Sequence, residues 1–456
     1  MKDFIRNINQ SEKIVYLYLF LVFCLNLVTF STIELTFDES YYWIYSQFLD
    51  WGYFDHPPFV AIMIKMGTSI FGNNSLGVRI LPNILFVLGS LFLWKMTRRQ
   101  NPWVFIVLLS SFFLIQFSGM FALPDTGLFI FSILYFYFLK KYLERDSFTN
   151  SLLLGLTIAM LFYSKYHGLL MVLLSIFAIP QIVLKRSFWL VFVVALTCYL
   201  PHLWWQYQHD FISFKFHLFG RKEKHFDIAN IFDYLGGQFV LAGFLIFLAI
   251  LSKLKTINLQ DSFERVLLYN TMGFYLVLLI VSVRNPIEAN WSLSCVIALL
   301  ILFCDRLDIK KIKYLMLPSL LILIVFRLTM YFPNFVKPKL NLEVNRLYEV
   351  TSWENDISVR IQKHCADSKI ISDNYQHASK LSFYLREIVP ALHLDSRESQ
   401  FSILRLQDKI NLEEQVCYIT TENDFQGSLK IVTGLPDDIY VLNGLSYNEL
   451  LRSIKK

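Results

Sequence analysis

Long apolar runs follow one another from residue 14 to residue 332 and constrain the fold more than any other feature of this chain. A helix needs about twenty largely apolar residues to cross a bilayer, so the runs predict about eleven spans. Their approximate ranges are 14–32, 76–96, 103–121, 125–140, 149–164, 167–184, 187–206, 231–252, 264–283, 290–304 and 314–332. Only 17% of the residues are charged, against about 25% in soluble domains. The chain is therefore predicted to be a polytopic α-helical membrane protein, with the lipid bilayer as its first partner.

Two segments near the N-terminus are assigned differently. The first run has a basic flank like a secretory signal, but its apolar core is too long and no small-residue cleavage site follows, so we expect a retained anchor. Residues 57–72 are too short to span comfortably and include Lys65, so we expect a helix that lies at the membrane interface.

Basic clusters give the orientation, because Lys and Arg concentrate in cytoplasmic connections. They occur at alternate connections, near residues 95–99, 140–145, 185–186, 253–255 and 310–313. Those connections and the N-terminus are predicted to be cytoplasmic. The net charge of +6 is thereby explained by topology, and no nucleic-acid partner is expected. The opposite, outer connections are 31–74, 121–125, 164–167, 207–230 and 284–290, and an odd number of spans places the tail from residue 333 on the same side.

The tail, residues 333–456, changes character and is predicted to be a small α/β domain, separate from a transmembrane domain of residues 1–332. Strand-like runs occur at 369–372, 416–420, 429–433 and 439–442, with a helical stretch near 378–386. Cys365 and Cys417 lie in this tail, and whether they form a disulfide is left open. The other cysteines, which lie inside apolar runs, are expected to pack as small hydrophobic residues.

The first outer connection, residues 33–75, is dense in ionisable groups, beginning with Asp38 and Glu39. Carboxylates at a membrane boundary are costly unless they are solvated or paired, so Asp38 and Glu39 are the candidate catalytic residues. If a helix begins near Phe37, Tyr41 and Tyr42 lie on the same face as Asp38 and form an aromatic wall suited to a sugar ring. Capping of that helix by Asp38 is the structural alternative.

Asp55 and His56 stand before two prolines at the start of the predicted interfacial helix. The pair is compatible with metal binding, with substrate binding or with capping of that helix. One Asp and one His are weak evidence for a metal, so a substrate-binding or supporting role is favoured and a divalent metal ion is left open.

The remaining outer connections carry further candidates. Asp125 follows Pro124 in a very short turn, where catalysis and turn formation are about equally supported. Cations on a side that should lack them indicate an anionic partner such as a phosphate, although snorkelling is an alternative for Lys165. The other candidate binding residues are Arg79, which could instead pair with an acid, His167, His217, Arg221, Glu288, Asn290 and Trp291.

Together these motifs resemble bacterial polyprenyl-phosphate-dependent glycosyltransferases of the protein mannosyltransferase and lipid A aminoarabinose transferase type. The resemblance implies the C-type glycosyltransferase fold, a bacterial inner membrane location and a periplasmic tail. It implies inverting transfer of a sugar from a polyprenyl-phosphate donor to a glycolipid, polysaccharide or protein acceptor. By position, Asp38 would be the general base, Lys165 and Arg221 would hold the donor phosphate, and Asp125 would be a second acid of the site.

One departure from the family pattern concerns position 56. Lipid A aminoarabinose transferases have Glu-Lys-Pro where this chain has Asp55-His56-Pro57, so an aminoarabinose donor or a lipid A acceptor is not implied. The alternative class is a transporter or flippase, but transporters typically show related halves and midplane charges, whereas the charges here gather at one face. An O-antigen-type ligase or polymerase is a weaker alternative.

Overall fold

The computed structural model describes residues 9–97, 101–220, 227–241, 250–332, 351–392, 397–421, 429–431 and 439–454. Helices dominate up to residue 332. In chain order they are α1 (Gln10–Thr32), α2 (Phe37–Gln47), α3 (Phe59–Phe71), α4 (Ser75–Met96), α5 (Pro102–Ser111), α6 (Phe113–Met120), α7 (Pro124–Glu144), α8 (Phe148–Ser164), α9 (His167–Ala178), α10 (Arg186–Gln208), α11 (Ile212–Lys215), α12 (Ile228–Leu241), α13 (Ser262–Ser282), α14 (Leu293–Phe303) and α15 (Ile309–Tyr331).

Within the described residues, five helices are long and apolar enough to cross a membrane, and the bent pair α5 and α6 would make a sixth. The polytopic α-helical class is therefore confirmed, whereas the count of eleven spans stays a prediction. The helix predicted at 57–72 is present as α3. Its position at the membrane interface also stays a prediction.

Two predicted spans are interrupted. The segment 103–121 bends by 78° between α5 and α6, where Phe112 leaves the helical conformation. The amide of Gln116 donates to the carbonyl of Leu109 at 2.8 Å, which satisfies a backbone acceptor next to the break. The segment 167–184 continues beyond α9 only as a 3₁₀ turn, which begins at Pro180, because a proline disfavours helical conformation in the residue before it.

The tail contains α16 (Ser358–His364), β1 (Lys369–Ser372), α17 (Tyr375–Leu385), α18 (Gln400–Leu404), β2 (Gln415–Thr420), β3 (Leu429–Ile431), β4 (Ile439–Ser446) and α19 (Tyr447–Ile454). The four strands form one sheet in the order β1-β2-β4-β3. β1 pairs parallel with β2, and β4 pairs antiparallel with β2 and β3. A disulfide joins Cys365 to Cys417. The predicted α/β character of the tail is thus confirmed, and the question of the disulfide is answered.

The tail packs directly on the first outer connection, and the two share one hydrophobic core. Buried aromatic residues of α2, such as Trp43, contact Phe383 of α17. Glu34, just before α2, accepts hydrogen bonds from the backbone N–H groups of Trp353 and Glu354 at 2.8 and 2.9 Å. Lys380 is fully buried and donates to the carbonyl of Leu35. This docking holds the tail over the end of the helix bundle where α2 lies.

Candidate active site

A cavity of about 400 Å³ lies between the first outer connection, the ends of the membrane helices and the tail. Its lining residues are Asp38, Tyr41, Tyr42, Asp55, His56, Leu123, Pro124, Asp125, Lys165, Tyr166, His167, Phe216, His217, Glu288, Asn290, Trp291, Tyr375, Gln376 and Arg397. Each of the five predicted outer connections supplies residues to this lining, and so does the tail. The structure thus brings together, at one end of the bundle, residues that are up to about 360 positions apart in the sequence, from Asp38 to Arg397.

Asp38 reaches the cavity from the first turn of α2 and is exposed to it. Thr36, and not Asp38, caps this helix: its side chain accepts the N–H of Glu39, and Glu39 accepts the N–H of Thr36 in return. The capping alternative for Asp38 is therefore excluded. Its place in the first turn is favourable for a carboxylate, because the partial positive charge of the helix dipole lies there.

Tyr41 and Tyr42 form the aromatic wall that the spacing predicted, on the α2 side of the cavity. Burial raises the pKa of Tyr42 well above its ordinary value, and the charges of Asp38, Asp55 and Asp125 raise it further. Burial and Asp55 likewise raise the pKa of Tyr41. Both phenols therefore stay protonated at physiological pH and can donate hydrogen bonds.

Asp125 and Lys165 form a buried ion pair on the bundle side of the cavity. The ammonium nitrogen lies 2.9 and 3.1 Å from the two carboxylate oxygens, and Asn290 donates to the same carboxylate at 3.1 Å. Lys165 has three N–H donors, so two bonds to Asp125 leave it one donor for an anionic ligand. Asp125 is also the second residue of α7, directly after the proline that begins this helix.

A glycine allows α7 and α8 to come close enough for this pair. A Cβ atom added to Gly127 would lie 2.5 Å from a ring carbon of Phe59 and 2.6 Å from the hydroxyl of Ser164. Ser164 is the last residue of α8 and precedes Lys165. The small residue two positions after Asp125 therefore sets the distance between the two charged groups.

Asp55 is buried at the edge of the cavity and is held from several directions. Tyr45 donates to one carboxylate oxygen, and Arg397 of the tail donates to the other at 2.9 Å. The backbone carbonyl of Asp55 is hydrogen-bonded to Nε2 of His217 at 2.8 Å. These contacts fix the position of Asp55, and its supporting or substrate-binding role stays a prediction.

Three histidines line the cavity together with aromatic rings. His56 lies edge-on to Tyr42, with ring centroids 5.4 Å apart, and 6.2 Å from the ring of His217. His167 packs edge-on against Trp291 at 5.1 Å. Imidazoles and aromatic faces of this kind suit sugar hydroxyl groups and the apolar face of a sugar ring.

Glu39 and Arg79 do not line the cavity. They form a fully buried ion pair, with Nε and Nη2 of Arg79 lying 2.7 and 2.6 Å from the two carboxylate oxygens of Glu39. Glu39 also accepts the backbone N–H of Ala122 at 3.0 Å. Burial alone would raise the pKa of Glu39, but Arg79 and these hydrogen bonds outweigh it and lower the pKa. This geometry supports a structural role, which joins α2 to α4 and to the turn before Asp125.

Arg221 lies outside the described residues, so its predicted contact with a phosphate is not addressed by the geometry. No group of three or more His, Cys, Asp or Glu side chains is placed to hold a metal ion in the part of the chain that the structure describes.

Sequence reasoning missed the contribution of the tail to the cavity. Tyr375, Gln376 and Arg397 line it, as do Tyr166 and Phe216 from outer connections. Tyr375 and Gln376 lie in the segment 373–379, which resembles the outer domain of bacterial members of the glycosyltransferase family, so the sequence carried a signal for them. Arg397 stands in a polar stretch with no local feature that distinguishes it from a surface residue.

The architecture is that of the C-type glycosyltransferase fold. It superimposes on ArnT from Cupriavidus metallidurans in the apo state with a TM-score of 0.68 at 13% identity, covering 94% of this chain and 97% of that one. The same protein bound to undecaprenyl phosphate gives a TM-score of 0.67 at 11% identity, with the same coverage. At these identities the likeness establishes the fold alone.

Sequence comparisons point to particular relatives. Residues 55–205 match the family described as dolichyl-phosphate-mannose-protein mannosyltransferase. The chain is 26% identical over 308 residues to the lipid A galacturonosyltransferase RgtD of Rhizobium johnstonii, covering 64% of each chain. It is 32% identical over 214 residues to the lipopolysaccharide core galacturonosyltransferase RgtA of the same organism, covering 44% of this chain and 42% of that one. The chain thus spans less than two thirds of the length of either relative. The resemblance stated from the sequence is confirmed by these matches.

Proposed function

We propose that this chain is an inverting membrane glycosyltransferase that moves a sugar from a polyprenyl-phosphate donor to a glycolipid acceptor, lipid A or lipopolysaccharide core. We propose that the reaction takes place on the periplasmic face of a bacterial inner membrane. The fold and the named activities of the relatives support this class over a transporter. The observation that carries the proposal is the shared cavity, in which Asp38 of the first connection faces the Asp125–Lys165 pair of the bundle.

In the proposed reaction, an acceptor hydroxyl attacks the anomeric carbon of the donor sugar. Asp38 accepts the proton of that hydroxyl as a general base. The bond between the anomeric carbon and the phosphate oxygen breaks, and polyprenyl phosphate leaves with the electron pair. The remaining donor of Lys165 stabilises the charge that grows on the departing phosphate, and we assign Arg221 the same task from its position in the sequence.

In this proposal, the aromatic wall of the cavity binds the donor sugar. Tyr41 and Tyr42 present faces and hydroxyl donors, while Glu288 and Asn290 of the last outer connection line the same cavity with hydrogen-bonding groups. Because the names of both galacturonosyltransferase relatives refer to parts of lipopolysaccharide, a galacturonosyl donor is the first to test. Binding by these residues would hold the anomeric carbon near Asp38, and positioning of this kind contributes strongly to rate.

The test measures transfer of labelled galacturonic acid from its polyprenyl phosphate to lipid A, or to lipopolysaccharide core, by the purified protein. Asp38→Asn is expected to lower kcat by about 100-fold or more, since general-base catalysis contributes that much. Asp356→Asn, which alters a carboxylate paired with Arg360 on the tail, should leave kcat unchanged. Full activity of Asp38→Asn would exclude the assigned base. Movement of donor lipid across vesicles without transfer to any acceptor would instead favour a flippase.

A further inference from the structure

Arg397 occupies an unusual position for a residue of the tail. Its guanidinium lines the cavity and donates to the buried carboxylate of Asp55 at 2.9 Å. The guanidinium carbon lies 4.9 Å from the ring centroid of Tyr375 and 5.2 Å from that of Phe216. A carboxylate and two aromatic rings therefore fix the cation in one orientation. Its side chain nonetheless remains 43% exposed, whereas that of Asp55 is 7% exposed.

The hydrogen bond to Asp55 uses only part of the hydrogen-bonding capacity of Arg397. A guanidinium carries five N–H donors in a planar fork. One of its nitrogens donates to Asp55 and the guanidinium also hydrogen-bonds to the side chain of Tyr375, so these two partners do not use all five donors. Planar forks of this kind match the oxygens of carboxylate and phosphate groups. The arrangement is a cation that is already oriented at the wall of a substrate-sized cavity.

The balance of charge around the cavity makes this cation important. Among the lining residues described, the carboxylates are Asp38, Asp55, Asp125 and Glu288, and the Lys and Arg side chains are Lys165 and Arg397. Lys165 is 5% exposed and binds both oxygens of Asp125. An anionic substrate entering an acid-rich cavity needs a cation with donors to spare, and Arg397 is the more exposed of the two.

We propose that Arg397 is a substrate-binding residue supplied by the tail, and that its guanidinium binds an oxyanion of the lipid-linked donor. This inference rests on the proposed function. The oxyanion is either the donor phosphate or, for a uronic acid, the carboxylate of the sugar. The tail thereby takes part in choosing the donor, and Asp55 with the two rings positions the guanidinium for that task.

A purely structural role is the competing explanation, in which the Arg397–Asp55 pair only fastens the tail to the first connection. The docking of the tail has other sources, however. The side-chain oxygen of Gln400 accepts the backbone N–H of Phe54 at 2.9 Å. The backbone N–H of Gln400 donates to the hydroxyl of Tyr41 at 2.7 Å. If Arg397 only fastens the tail, the donor Kd should rise only as far as the loss of stability explains. If Arg397 binds the donor, Kd should rise further than the change in Tm explains.

The experiment compares wild type, Arg397→Gln and Arg397→Lys, with Arg360→Gln as the control for removal of an Arg–Asp pair elsewhere on the tail. Three probes are used: polyprenyl phosphate alone, polyprenyl-phosphate galactose and polyprenyl-phosphate galacturonic acid. The two sugars differ only at C6, where a hydroxymethyl group replaces the carboxylate. Binding of each probe to the purified full-length protein is measured by its Kd, alongside Tm and, for the two sugars, KM and kcat.

Loss of a hydrogen bond to a charged group should raise Kd and the donor KM by about 10- to 100-fold in Arg397→Gln, with a partial recovery in Arg397→Lys. Tm should fall modestly, because the buried carboxylate of Asp55 loses its counter-charge but keeps the hydrogen bond from Tyr45. A rise for all three probes identifies the phosphate as the ligand. A rise confined to the galacturonosyl probe identifies the sugar carboxylate. Unchanged Kd for every probe overturns the inference, as does a fall in Tm without a change in Kd. Binding without transfer by wild type would count against the proposed function while still testing Arg397.

Discussion

At the residue scale, the different surroundings of two adjacent carboxylates, Asp38 and Glu39, indicate different roles for them. Asp38 is exposed to the cavity, whereas Glu39, the next residue, is fully buried and bound to Arg79. The sequence placed both in the catalytic group because they are neighbours in a loop rich in acids. Successive residues of a helix point about 100° apart, however, and the N3 position of the capping box turns Glu39 inward.

Replacing Glu39 tests this division of roles. Glu39→Gln should lower the free energy of unfolding by about 3–5 kcal/mol, because the guanidinium of Arg79 would remain buried without its counter-charge. Thermal unfolding of the purified protein measures the effect. Glu144→Gln is the control, since it breaks the exposed pair with Lys141 and should not change Tm. A loss of transfer activity in Glu39→Gln with unchanged Tm would return Glu39 to the catalytic residues.

At the scale of elements, local features of the sequence predicted much of the structure. The ends of α1, α4 and α8 follow from apolar runs, and the strands of the tail follow from short β-prone runs between turns. The outer motifs were grouped because charge bias fixes which connections share a side. Contacts between distant segments were beyond this reasoning, since nothing near Arg397 in the sequence indicates that it meets Asp55. The pairing of Lys165 with Asp125 was missed for the same reason.

The contact between α7 and α8 provides a prediction at this scale. Gly127→Ala should push the two helices apart, because the new methyl group would lie within 2.6 Å of Ser164 and Phe59 atoms. A displacement of about 1 Å at a reacting centre can cost about 100-fold in rate, so we expect kcat/KM for the donor to fall at least tenfold. Gly236→Ala is the matched control, since nothing lies within 4 Å of its added Cβ. Equal kinetics of the two variants would show that Gly127 does not set the Asp125–Lys165 distance.

At the scale of the whole molecule, the tail is part of the site and not an appendage. It shares a core with α2 and supplies Tyr375, Gln376 and Arg397 to the cavity. The boundary predicted at residue 333 therefore divides the sequence into two kinds of composition, but both parts build one active-site cavity. Any change that loosens the tail should act on donor binding as well as on stability.

The disulfide between Cys365 and Cys417 is the means to test that coupling. It closes a loop with a sequence separation of 52 residues, and a cross-link of that span stabilises a fold by about 4 kcal/mol through the entropy of the unfolded chain. The double variant Cys365→Ala/Cys417→Ala should therefore show a lower Tm and, because the tail carries Arg397 and Tyr375, a raised KM for the donor. Reductant should reproduce both effects in wild type and add nothing in the double variant. The control is Cys24→Ala/Cys198→Ala, which leaves the cross-link intact and should retain the sensitivity of wild type to reductant. A lower Tm with an unchanged donor KM would mean that the tail contributes stability to this molecule but not binding.

Because stable disulfides form in oxidising compartments, the same bond supports a periplasmic tail. Because Cys365 and Cys417 are buried, the test uses Val359→Cys at an exposed position of the tail, which a membrane-impermeant maleimide should label in intact spheroplasts. Failure to label Val359→Cys in intact spheroplasts, when the same protein is labelled after lysis, would place the tail on the cytoplasmic side.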